Sequence, residues 1–216
     1  GPSDRFLRFV AAVLPTLGES RIAQTTFDRL LGPSTAAGSD ERWLPLLDRF
    51  EDTLCAPAEL KVGLTRIREP EVAELMARLR GRAIPWRDRR KLFVQLLATA
   101  HHLKPADVSK AAADAWPALS TTAALRKLRN RAVLQDLGME PDHLHAWLAD
   151  PHDGALADEV RARIEGVPAT YGHVIVDEAQ DLSLLQLRAV QRRSTGLSLV
   201  GDDAQQSAPN AVGLVR

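Results

Sequence analysis

The chain has 216 residues, 45% hydrophobic and 26% charged, with 28 basic and 28 acidic side chains. This is ordinary globular composition, which excludes a disordered chain, and the length suits one large domain or a domain with an insertion. Zero net charge leaves no global field to draw in nucleic acid, so any such surface must be local. The single cysteine, Cys55, excludes an internal disulfide; no apolar run nears membrane-spanning length and no signal-peptide pattern opens the chain, so the expectation is a cytoplasmic protein with no membrane partner. Gly1-Pro2 reads equally as a tag remnant or as native sequence.

In chain order, residues 3–14 read as a helix capped by Ser3 or Asp4, with Phe6, Phe9, Val10, Val13 and Leu14 on one face. Residues 21–25 read as a short strand and 26–31 as a helix. Residues 32–40 are a polar, breaker-rich linker. From Glu41 to about Gly166 no strand is expected. Helical candidates there are 41–53, 57–63, 69–80, 86–102, 105–115, 121–137, 141–149 and 153–165, with prolines mostly near their starts. The expected organisation is 1–40, then an all-helical insertion over 41–166, then 167–216. In the last part, strands at 173–177 and 197–201 flank a helix at 183–193 capped by Ser183.

The informative stretch is Gly172-His173-Val174-Ile175-Val176-Asp177-Glu178-Ala179-Gln180-Asp181. Its unbroken apolar run reads as a strand buried on both faces of a parallel sheet. Ligands gather at the carboxyl ends of such strands, where Asp177 and Glu178 would stand. The second run, Leu197-Ser198-Leu199-Val200, ends at Gly201-Asp202-Asp203-Ala204-Gln205. Two neighbouring strands thus deliver carboxylates and amides to one sheet edge, which suits a nucleotide. One carboxylate can hold Mg²⁺, the next can deprotonate a water, and a glutamine can sense the terminal phosphate. The plainer alternative is an acidic strand end that caps the next helix.

Asp177-Glu178-Ala179-Gln180-Asp181 resembles the DEAQD form of the Walker B box of UvrD-like superfamily 1 helicases, and Gly201–Gln205 resembles that family's GDxxQ motif. The resemblance implies an α/β fold: a partial RecA-like P-loop NTPase domain with a parallel sheet and a large helical insertion. It implies ATP and Mg²⁺ as ligands of the parent protein, with Asp177 as the Mg²⁺-associated acid and Glu178 as the catalytic base. Gln205 would be the γ-phosphate sensor, and Gln180 and Asp202 supporting residues of the nucleotide site. Thr25-Thr26-Phe27-Asp28-Arg29-Leu30 is similar to the family's TFHxL box, with Asp28 where His is usual. By that similarity Thr25 and Thr26 contact nucleic-acid phosphates, although Thr26 also suits a helix N-cap. The opening Gly-Pro-Ser-Asp-Arg-Phe-Leu-Arg-Phe-Val, followed by Leu14-Pro15-Thr16-Leu17-Gly18-Glu19, looks most like the HelD branch, helicase-like ATPases that bind bacterial RNA polymerase.

The phosphate-cradling run GxxxxGK followed by Ser or Thr does not occur. In the family it precedes the region matched by Gly1–Leu31. The expectation is therefore a fragment of a longer ATPase, holding no nucleotide tightly and hydrolysing ATP negligibly alone. Two parent functions fit: remodelling or recycling of RNA polymerase, with the insertion as a protein-binding arm, or a DNA helicase or translocase in repair or replication; a third, weaker alternative is a natural remnant that binds a partner without ATP chemistry.

Other candidates have plainer readings. Arg82, Trp86, Arg87 and Arg90 lie in the most basic stretch and could grip a phosphate backbone and stack on a base. A solvated helix corner with Trp86 packed inward is the simpler reading. Charges over 126–131 spread around a helix, as on a solvated surface. His143 and His145 lie two apart and would not converge on a metal from one helix. His101 and His102 suit a helix C-terminus.

Overall fold

The structure is a computed structural model that describes residues 22–150, 152–202 and 211. In chain order its elements are α1 (Phe27–Leu31), α2 (Trp43–Thr53), β1 (Leu60–Val62), β2 (Thr65–Ile67), α3 (Glu69–Arg80), α4 (Trp86–Ala100) and α5 (Pro105–Ala111). Then follow α6 (Thr121–Leu128), α7 (Arg131–Asp136), α8 (Pro141–Ala149), α9 (Gly154–Ile164), β3 (Tyr171–Val176), α10 (Leu184–Arg193) and β4 (Ser194–Leu199). Short 3-10 turns lie at Ala37–Ser39 and Ala179–Asp181. The class is mixed α/β, mostly helical, with one antiparallel and one parallel strand pair among the described residues. The expected helix at 3–14 lies outside the described residues.

The described residues divide into two compact units. The helical unit falls within Arg42–Leu148 and Glu159–Pro168; the sheet unit falls within Gly1–Glu41, Ala149–Asp158 and Ala169–Arg216.

The helical unit is organised around aromatic side chains. Trp43, Trp86, Trp116 and Trp147 are all fully buried. Trp43 meets Trp147 edge-on at 5.0 Å and His143 at 5.3 Å; Trp86 meets Trp116 edge-on at 5.5 Å. Such edge-to-face pairs contribute about 0.5–1.5 kcal/mol each beyond burial. Charge is buried here too. Glu51 pairs with Arg89 and Arg163, and Arg163 also holds Glu159 at 3.1 Å. Burial alone would depress the Arg163 guanidinium, but hydrogen bonding to Asp48 and attraction to Glu159 raise it above the ordinary arginine value.

The all-helical expectation fails at 57–63. Leu60–Val62 and Thr65–Ile67 pair as an antiparallel hairpin, Leu60 opposite Ile67. Gly63 carries the turn at φ +60°, a backbone that glycine adopts without cost. Leu60, Val62 and Ile67 are buried while Lys61 and Arg66 face out, the period-2 pattern of a half-buried strand. The expected helix 121–137 is two helices. Arg129 is the C-cap of the first, and Asn130 caps α7, its side chain accepting from the N–H groups of Ala132 and Val133.

In the sheet unit, β3 and β4 run parallel with Val176 opposite Leu199, and α10 is the crossover between them. Ser183 caps α10 in a full capping box with Gln186. Val176, Ala179, Leu182 and Val190 form the core, and Phe27 and Leu30 of α1 pack on it. The expected strand at 21–25 is not found among the described residues 22–25. The expected linker 32–40 is partly structural. Gly38, Ser39 and Asp40 are buried, and Ser34 accepts from the Ala155 N–H at 2.8 Å. The strand at 171–176 is not buried on both faces: Ile175 is 72% exposed and Val176 alone is buried. The β4 strand also begins earlier than expected, at Ser194, directly after α10.

Candidate functional site at the strand ends

Parallel pairing brings the carboxyl ends of β3 and β4 level. The pairing continues one step beyond the strands, since the Val200 N–H donates to the Val176 carbonyl at 2.8 Å. The chain after β3 then doubles back, and the Ala179 N–H donates to the Val200 carbonyl at 2.9 Å. That reversal needs a left-handed residue, and Glu178 supplies it at φ +54°, ψ +39°. A non-glycine side chain in this region costs on the order of 1–2 kcal/mol. Such strain persists where surrounding contacts over-determine it, and it clusters at functional sites.

Those contacts centre on Gln180. Its side chain is 1% exposed. The amide nitrogen donates to the Glu178 carboxylate at 2.7 Å, and the amide oxygen accepts from the Asp202 N–H at 3.2 Å. One buried amide thus joins the two strand ends. It also explains Gly201, where a Cβ would come within 2.0 Å of the Gln180 oxygen and 3.0 Å of the Ala179 nitrogen. Asp177 and Glu178 are exposed. One oxygen of Asp177 accepts from the Glu178 N–H at 3.0 Å, which fixes the Asp177 rotamer at the strand end.

Of the residues expected at a nucleotide site, Asp177, Glu178, Gln180 and Asp202 are brought together by the β3 and β4 ends. Gln205 lies outside the described residues. Two determinants escaped sequence reasoning: the left-handed turn at Glu178, for which the sequence carries no signal, and the close approach at Gly201, which its glycine could have suggested. Asp177 and Glu178 offer hard oxygen ligands of the kind Mg²⁺ takes. Among the described residues no group of three or more His, Cys, Asp or Glu side chains could hold a metal ion.

Thr26 is the N-cap of α1, its hydroxyl accepting from the Arg29 N–H at 3.3 Å, and the exposed Thr25 hydroxyl donates to the Thr26 carbonyl at 3.3 Å. The basic stretch separates into different roles. Trp86 is 1% exposed and its indole N–H donates to the Pro117 carbonyl at 3.0 Å, so it offers no free face for a base. Arg90 is held inside by Trp116 and Ser109, whereas Arg82 and Arg87 are exposed. Of the two readings of this stretch, the structure has the simpler one for Trp86, a packed core tryptophan, with Arg82 and Arg87 on the surface. The driving term is the indole's large apolar area, which gains more from burial than from solvent.

Compared with known proteins, the chain matches no protein-family model, and no curated protein matches it. Among the described residues no helix is long and apolar enough to cross a membrane.

Proposed function

We propose that this chain is part of a UvrD-like superfamily 1 ATPase of the HelD-like kind, in which ATP hydrolysis drives remodelling or recycling of RNA polymerase. The observation that carries the reading is the Gln180 amide, which joins Glu178 at the end of β3 to Asp202 at the end of β4. A base at the first strand end is thereby coupled to the loop that follows the second. In this reading Asp177 provides a carboxylate oxygen for Mg²⁺, which would neutralise phosphate charge on the bound ATP. Glu178 takes the proton of the water that attacks the γ-phosphate in line. Gln180 holds that carboxylate in one rotamer, so little reorganisation is needed at the moment of reaction. Asp202 starts the segment that carries Gln205, the proposed γ-phosphate sensor. The 216 residues contain no GxxxxGK run followed by Ser or Thr, so in this reading the chain alone should turn over ATP negligibly. Zero net charge and the wording of the N-terminus favour a protein partner over DNA as the substrate of the motor.

The test is capture of bacterial core RNA polymerase by this chain, with a version lacking residues 41–166 as control. Binding that is lost on deletion supports a polymerase-contacting arm. No binding at low salt, together with single-strand DNA binding that falls steeply with salt, would overturn it in favour of a DNA motor.

A further inference from the structure

A groove of about 480 Å³ runs along α4 and α5 within the helical unit. Val94, Pro105 and Leu119 contribute apolar walls, and Arg87, Arg90 and Lys91 line it from α4. Positions 87, 90 and 91 are three and four apart, so they share one face of that helix. No lining side chain is acidic.

The three cations are set differently. Arg90 donates from Nε to the Trp116 carbonyl at 2.7 Å, and from its two Nη atoms to the Ser109 hydroxyl at 3.2 Å and carbonyl at 3.0 Å. Its acceptors are neutral, so its position is fixed while its charge is not cancelled. Burial holds it below the ordinary arginine value, as expected of a desolvated cation without a counter-ion. Arg87 donates to the Glu165 carbonyl at 2.9 Å. The Glu165 carboxylate accepts from the Thr121 N–H at 3.0 Å and hydroxyl at 2.8 Å; these bonds, followed by attraction to Arg87 and Arg161, hold it below the ordinary glutamate value, so the Arg87 charge is partly offset. Lys91 is exposed.

The shape narrows the occupant. Gln95, Ala106 and Ala118 on the groove's flank are exposed, so it is open along its side. Small-molecule sites bury about 70–90% of their ligand, which an open flank does not do. A chain that continues along the surface loses nothing there. We propose that this groove docks an acidic amphipathic segment of a partner protein, its apolar side chains against Val94, Pro105 and Leu119 and its carboxylates against Arg87, Arg90 and Lys91. The assignment does not depend on nucleotide chemistry at the β3 and β4 ends.

The test is fluorescence anisotropy on the whole chain. The probe is a labelled synthetic peptide of about 15 residues with Leu at helical anchor spacing and Glu at the polar positions. One control peptide carries Lys in place of Glu, a second carries Ser in place of Leu, and a third probe is a single-stranded oligonucleotide. The Leu/Glu peptide is expected to bind saturably and at least about tenfold more tightly than each of the others. Lys91→Glu and Ala106→Glu should each weaken it about fivefold or more, while Lys91→Arg keeps binding. Ala106 is exposed in the first turn of α5, where an added carboxylate suits the helix dipole, so this variant should fold. Unchanged tryptophan fluorescence would verify that. Absence of saturable binding, equal binding of any control, or indifference to both charge substitutions overturns the proposal.

Discussion

Gln180 holds the carboxylate of Glu178 at 2.7 Å from a position that is itself 1% exposed, so a surface acid is positioned by a buried amide. Replacing Gln180 by Leu would remove its hydrogen bonds with the Asp202 N–H and the Glu178 carboxylate. Both partners belong to exposed residues, so the expected cost is about 0.5–1.5 kcal/mol for each bond lost. Amide hydrogen exchange over 174–176 should accelerate accordingly. Glu178→Gln keeps an acceptor oxygen for the Gln180 amide and should stay within about 0.5 kcal/mol of the parent stability. Unchanged exchange in the Leu variant would mean that the amide is not the tie between the strands.

Gly201→Ala should act on the same contact from the other side, because its Cβ would meet the Gln180 oxygen at 2.0 Å. A cost of about 1–3 kcal/mol is expected from overpacking. In a Gln180→Ala background the clash with that side chain disappears, leaving the contact with the Ala179 nitrogen at 3.0 Å. The two substitutions should therefore be less than additive in a double-mutant cycle, and strict additivity would refute the shared contact.

Asp158 is 2% exposed and takes hydrogen bonds from Arg192 and Arg193, each with a contact at 2.9 Å. Burial pushes its carboxyl up, but hydrogen bonds from Arg193 and then Arg192 outweigh this and hold it below the ordinary aspartate value. The folded value is depressed, so the stabilisation is present above the unfolded value of about 3.9 and is lost as pH falls through the folded value. Asp158→Asn should cost about 3–5 kcal/mol at neutral pH, since it removes the buried carboxylate with which the buried Arg193 guanidinium is paired. It should also flatten the acid loss of stability below about pH 4. Urea midpoints read at pH 7 and pH 3 by exchange in β3 check both.

Trp86→Phe should behave as a core substitution. With the indole fully buried and its N–H on Pro117, the expected cost is about 1–3 kcal/mol. Affinity for single-stranded DNA, measured at low salt on folded protein, should not change. A selective loss of that affinity would restore a stacking role.

Legibility in the sequence followed the range of the forces. Local signals were read well: the boundaries of α3 from Glu69 to Arg80, and the Ser183 cap of α10, depend on side chains within a few residues. The Leu60–Ile67 hairpin was equally local, an alternating run around Gly63, but a neighbourhood of helices masked it. At the strand ends, the types Asp177, Glu178, Gln180 and Asp202 were legible from their order. Their wiring was not, because the Gln180 to Asp202 bond spans 22 residues and depends on a left-handed turn at Glu178. The exposure of Ile175 was also hidden, since an apolar run does not reveal how much of a sheet's face is covered.

The long-range stitching has a consequence for how the chain reaches this structure. Ser34 pairs with Asp153, and the Ala155 N–H reaches the Ser34 hydroxyl across 121 positions. Closing so long a loop in an unfolded chain is entropically costly and slow, with each doubling of length adding about 0.6 kcal/mol. The helical unit shortens that path. Arg42 and Asp142, near the two limits of its longer segment, sit 3.1 Å apart, with Trp43 packed on Trp147 beside them. Once this unit has condensed, a hundred-residue excursion becomes a compact detour that leaves where it entered. A helices-first order is the expected outcome, and probes in the two units would separate its steps. Since all four tryptophans lie in the helical unit, their fluorescence reports on that unit, and exchange in β3 reports on the strand ends.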